Sequence, residues 1–183
     1  MSDIAEQRPP EIVRRAGFSW RDIAYALAMA TASLIAYWAM DQGLSPFVDR
    51  DSDLLGGMWA AVAAIFVFRD TNQGSLSAGL ARLIATLVSF ALCLPYFLLF
   101  PFTPGGMATL LALGTVIMML LGRREDIITT GITTVVVMVV AAISPSTAWQ
   151  QPLLRLADTV VGIAVGVSLR WIVYFGLGGG QAR

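Results

Sequence analysis

Arg155 and Asp158 are the two charges in the outer half of an apolar run that extends from Leu153 to about Phe175. Three residues apart on a helix, they share a face and can pair with each other. Measured from Pro152, they lie about 4.5 and 9 Å along that helix. Two readings follow. In one, Arg155 snorkels outward and Asp158 neutralises it, a purely structural pair. In the other, the pair faces water or a substrate, because an arginine in a first turn opposes the helix dipole and a charge inside a bilayer costs about 3 kcal/mol. The chemistry on offer is anion binding: a guanidinium fork suits carboxylates and phosphates. All 12 basic residues are arginine, which fits that use and equally fits an Ala- and Arg-rich coding bias.

Two further residues bear on such a path. Trp59 lies about 9 Å from the outer end of a short apolar run, level with Asp158. That depth is wrong for an interfacial anchor, so it is either core packing or an aromatic wall beside a pathway. Arg82 stands about one turn inside the next run from the opposite side, where it reads as an inner-mouth or headgroup-contacting charge. Direct pairing of Arg82 with Asp158 would then have to cross most of the bilayer. Other chemistry is poorly supplied. There is no histidine, no nucleophile sits beside a base, and the single Cys93 lies inside an apolar run as a small hydrophobe. Neither a cofactor nor a metal is expected, and the chain is not read as an enzyme.

The elements that must hold these residues are membrane helices. Hydrophobic residues make up 57% of the chain and charged ones 13%, about half the charge of an ordinary soluble domain. Leu83 to Gly122 is free of charge and about twice as long as one span requires. Pro101-Phe102-Thr103-Pro104-Gly105-Gly106 breaks it near its middle, so it reads as two helices folded back by a tight turn, with arginine at both ends. The fold class is therefore all-α: a polytopic membrane protein of six transmembrane helices with N and C termini cytoplasmic. The spans fall at about 23–40, 54–68, 78–100, 105–121, 127–143 and 153–175, within a transmembrane domain of residues 23–175. Residues 1–22 form a cytoplasmic segment with an interfacial helix over Glu11 to Trp20, and 176–183 a tail. A cleaved signal peptide is not expected, since acidic residues precede a first run too long for one.

Local signals refine this picture. Ser19-x-x-Asp22 is a capping box that starts the first span. Ala24, Ala28, Ala32 and Ala36 form a small-residue seam along it, and Gly162-x-x-x-Gly166 is a second close-packing signal. The loop Asp41 to Asp53 is acidic, as an outer loop can be. Asp49-x-Asp51-x-Asp53 has the spacing of a calcium loop, but Leu54 and Ala60 replace its glycine and glutamate, so it is read as solvated. The second span is short and must be sheltered by neighbours or meet a thinned region. Ser75 or Ser77 is expected to cap the third span, and Pro95 to kink it. Thr129, Thr130, Thr133 and Thr134 either bond back to their own helix or line a polar path. Arginines crowd the inner segments, with Arg50 and Arg155 on the outer side, and this lopsided count sets the orientation.

Taken in order, Leu55-Gly56-Gly57-Met58-Trp59-Ala60-Ala61-Val62, Gly74-Ser75-Leu76, Arg82-Leu83-x-x-Thr86 and Arg155-x-x-Asp158-Thr159-x-x-Gly162 resemble the fusaric acid resistance family. That family includes the aromatic acid exporters, and its membrane domain is similar to that of the aluminium-activated malate channels of plants. The resemblance implies export or conduction of organic anions and adds Thr159 to the path candidates Arg155, Asp158, Trp59 and Arg82. Ala85 and Ser89 stand where the family's third-span motif has glycines. Many relatives carry a large cytosolic domain or a second membrane half, for which these residues leave no room, so transport is expected from a homodimer.

The expectation is an inner-membrane transporter or channel subunit for small organic, including aromatic, anions. The alternative is a non-transporting membrane module that assembles with a partner through its small-residue seams. The lipid bilayer and a second copy are the expected partners, and zero net charge argues against nucleic acid.

Overall fold

The computed structural model describes residues 19–44, 50–143 and 145–176. The interfacial helix expected over Glu11 to Trp20 and the tail beyond 176 lie outside them almost entirely, as do the side chains of the Asp49-x-Asp51-x-Asp53 run. The described residues form six helices: α1 (Trp20–Leu44), α2 (Arg50–Val67), α3 (Asn72–Leu99), α4 (Pro104–Leu120), α5 (Ile127–Ile143) and α6 (Gln150–Gly176). Short 3-10 turns at Arg124–Asp126 and Pro145–Thr147 lead into α5 and α6. Four helical stretches are long and apolar enough to cross a membrane, Asp22–Gly43, Asn72–Leu99, Arg124–Ile143 and Gln150–Gly176. Leu54–Val67 and Pro104–Leu120 are shorter apolar helices.

The helix ends follow from local chemistry. The Ser19 amide donates to the Asp22 carboxylate at 2.8 Å, so α1 begins at Trp20. For α3 the expected serine caps are corrected: Thr71 is the N-cap, accepting from the Gly74 amide at 3.0 Å. Ser75 instead accepts from the Arg69 amide at 3.0 Å and ties α2's end to α3. Capping at Thr71 starts α3 earlier than the apolar run suggested, and the helix continues through Pro95. The hairpin turn is held by Thr103, which caps α4 through the Gly106 amide and meets the Tyr96 hydroxyl at 3.0 Å. Pro104 occupies the first turn of α4, where its missing N–H is harmless. At the far end Gly122 takes φ +71°, with the Arg123 amide reaching Met118 O and the Gly122 amide reaching Met119 O, a Schellman stop.

Small residues set the packing. In lipid no hydrophobic effect drives helices together, so close backbone approach must do so. Ala28, Ala32, Ala36 and Met40 of α1 bury against Ala60, Ala64 and Phe68 at α2. Ala157, Val161, Val165 and Leu169 of α6 close that cluster. A methyl group added at Gly162 would overlap the Ala60 carbonyl oxygen, and one at Gly166 would lie 2.8 Å from the Ala64 oxygen. The short α2 is thus sheltered by α1 and α6. On the other side, Cys93 of α3, Leu110 of α4, and Val137 and Met138 of α5 form a second cluster. The long helices α3 and α6 run against each other and join the two halves. α4 sits at the rim and exposes Leu113, Val116, Met119 and Leu120, a surface suited to lipid.

Candidate functional site

The seam between α3 and α6 carries the buried polarity. Thr86 of α3 and Thr159 of α6 meet hydroxyl to hydroxyl at 3.4 Å. The Thr159 hydroxyl also donates to Asp158 Oδ1 at 3.1 Å. One turn toward the start of α6, Arg155 Nη1 stands 3.3 Å from both Asp158 oxygens. Arg155 is 4% and Asp158 2% exposed. An arginine–carboxylate pair at its strongest closes to about 2.8 Å, as the less deeply buried Arg123–Asp126 pair does at 2.7 Å. The buried pair is therefore the looser of the two. One nitrogen is shared between two oxygens, and the buried Arg155 Nε has no hydrogen-bond partner among the described residues.

Trp59 of α2 lies flat enough on this pair for the Arg155 guanidinium carbon to stand 4.1 Å from its ring centroid. Trp59, Arg155, Asp158, Gln151 and Val137 border a narrow cavity of about 20 Å³, the size of one water. The Trp59 ring thus borders this cavity while covering the Arg155 guanidinium.

Arg82, expected as an inner-mouth or headgroup-contacting charge, is 6% exposed, and its guanidinium lies 4.4 Å from the Phe66 ring centroid. Because α3 starts at Asn72, Arg82 stands about 15 Å into the helix rather than one turn, and Asp158 stands about 12 Å into α6. Gly79 faces Ile163 and Val167 across the seam, and Thr86 faces Thr159, so Arg82 belongs to the face turned toward α6. Its charge acts on both Arg155 and Asp158. Its buried Nε has no hydrogen-bond partner among the described residues. The five candidates Arg155, Asp158, Thr159, Trp59 and Arg82 therefore gather around one seam.

The α5 threonines divide. Thr130 and Thr133 bond back to Asp126 O and Thr129 O, while Thr134 meets Ser89 of α3 at 3.0 Å. Ser89, one of the departures from the family's glycines, also donates to Thr130 O and so links α3 to α5. Sequence reasoning missed Phe66 and Gln151 as neighbours of the site. Thr86 carried a signal in its place one turn after Arg82, on the same face.

A family model described as fusaric acid resistance protein-like matches residues 47–169, from before α2 to near the end of α6. The chain belongs to the fusaric acid resistance protein-like family. Neither a curated protein nor a solved structure matches it. The matched span takes in Trp59, Arg82, Thr86, Arg155, Asp158 and Thr159. Membership of this family suggests a membrane transporter-like role, and the apolar helices here agree with a multi-pass membrane protein.

Proposed function

We propose that this chain is an inner-membrane transporter or channel subunit for small organic anions, aromatic ones included. In this reading α2 and α4 also span, giving six spans with both termini cytoplasmic, and two copies assemble. The observation that carries it is the charge inventory of the seam. Among the described residues, the buried charges at the seam are Arg82, Arg155 and Asp158, two cations against one anion, while the buried Asp126 is paired with Arg123 before α5. Uncompensated charge in a bilayer costs about 3 kcal/mol, and both arginines keep a buried nitrogen without a partner. A carboxylate arriving from solution supplies what is missing.

The aromatic neighbours favour a ring on that carboxylate. Trp59 covers Arg155 when no anion does, and a cavity the size of one water is too small for an organic acid. Admission therefore requires the Trp59 ring to leave the guanidinium, after which it can stack on the incoming ring. The partner-module alternative is weakened, because its seams are used inside the chain: Ala28, Ala32, Gly162 and Gly166 all face α2 or its neighbours. The test is uptake of a panel of labelled carboxylates into proteoliposomes holding the purified protein. Saturable uptake above that of protein-free vesicles supports the reading. Uptake of none of them overturns it.

A further inference from the structure

The charge inventory also restricts which anions are accepted. As ions, Arg82 and Arg155 contribute +2 and Asp158, whose Oδ1 accepts from Arg155 and Thr159, contributes −1. Among the described residues, the other neighbours of the seam named here are uncharged: Trp59 and Phe66 from α2, Thr86 from α3, Val136, Val137 and Val140 from α5, Gln151 from α6. The geometry points to Asp158 as a valence selector, holding the seam at +1 so that the path accepts monocarboxylates and rejects dicarboxylates of similar size. This inference rests on the organic-anion reading and adds a rule to it.

Electrostatics sets that rule. One carboxylate brings the buried seam to neutrality, whereas a dicarboxylate reverses its sign to −1 and leaves a charge uncompensated in a low-dielectric interior. A neutral amide leaves the +1 unmet. Arg82 and Arg155 are separate cations whose charges act on one another and on Asp158. Asp158 is the group placed to keep their sum at one. Without it, two guanidiniums face the anion together and a divalent acid becomes the matching ligand.

The test uses proteoliposomes at neutral pH with benzoate, terephthalate and benzamide, and with butyrate against succinate as an aliphatic pair. Wild type should take up each monocarboxylate at least about tenfold faster than its dicarboxylate counterpart, and benzamide no faster than protein-free vesicles do. Asp158→Asn should lower the mono-to-di ratio about tenfold, and Asp158→Glu should keep the wild-type ratio. Arg82→Gln, at zero net charge, should lower monocarboxylate uptake at a subsaturating concentration at least about tenfold. Arg82→Gln with Asp158→Asn, back at +1, should regain both uptake and selectivity, which a merely structural role for either residue does not explain. If the variants fail to fold, the wild-type ratios decide. Dicarboxylates taken up as well as monocarboxylates overturn the inference alone, as does an unchanged ratio in folded Asp158→Asn. Uptake of no carboxylate at all removes the organic-anion reading and this inference with it.

Discussion

Removing Arg155 should cost the fold more than removing Asp158, and removing both should cost less than their sum. Arg155→Gln leaves a carboxylate that is 2% exposed, with the Thr159 hydroxyl at 3.1 Å as its remaining close donor. Breaking a buried pair in that direction costs about 3–5 kcal/mol. Asp158→Asn is gentler. Arg155 keeps the Trp59 face at 4.1 Å, and a desolvated cation–π contact contributes about 2 kcal/mol. The amide oxygen that this substitution introduces can still accept from Thr159. A cost of about 2 kcal/mol is expected, with the repulsion from Arg82 included. The double variant removes both charges and should fall well short of the sum, with a coupling of about 2 kcal/mol. Unfolding in detergent followed by tryptophan fluorescence reads all four proteins. Costs that add to within about 0.5 kcal/mol would refute the coupling, and an Asp158→Asn cost above that of Arg155→Gln would refute the role given to Trp59.

Gly162→Ala should destabilise by about 1–3 kcal/mol because the new methyl meets backbone at Ala60, which cannot yield. Gly131→Ala, whose methyl meets only the flexible end of Leu111 at 3.1 Å, should be near neutral in the same unfolding assay. Thr71→Ala should cost about 1 kcal/mol through loss of the α3 cap, read by the same melt. Topology reporters at positions 45, 103 and 148 should report outside, and those at 73, 124 and 183 inside; an inside reading at 103 would contradict the hairpin of α3 and α4. Native mass spectrometry in mild detergent should find a dimer, and a monomer fully active in transport would contradict that assembly.

Helices and packing faces were readable where one residue type answers to one physical demand. The Ser19–Asp22 cap, the hairpin at Pro101 to Gly106, the alanine seam of α1 and the glycines of α6 each signal themselves locally. Depth was not readable. Apolarity placed the start of α3 near residue 78, but a polar first turn capped by Thr71 adds helix that hydropathy does not see, and this puts Arg82 about 15 Å into the helix, on the seam. Residues that meet only across helices were equally hidden. Nothing local to Phe66 signals a partner in the next helix, and Ser89 bonds to α5 from a position where family glycines pointed to packing alone. Trp59 stood out for its depth, but its contact with Arg155 depends on α2 being held against α6 by Gly162 and Gly166.

The most direct measurement is carboxylate uptake per folded protein in Arg155→Gln proteoliposomes, taken over a range of substrate concentrations beside the wild type. With the arginine as an anion ligand on the path, the variant that still reconstitutes as folded protein should saturate at a concentration at least about tenfold higher, because a charge-assisted contact contributes about 1.5–3 kcal/mol. Asp158→Asn should do the opposite, saturating lower and turning over more slowly as the anion is held by two unopposed guanidiniums. An Arg155→Gln protein that melts earlier but transports with the wild-type concentration dependence would leave Arg155 and Asp158 a structural pair and contradict the anion path.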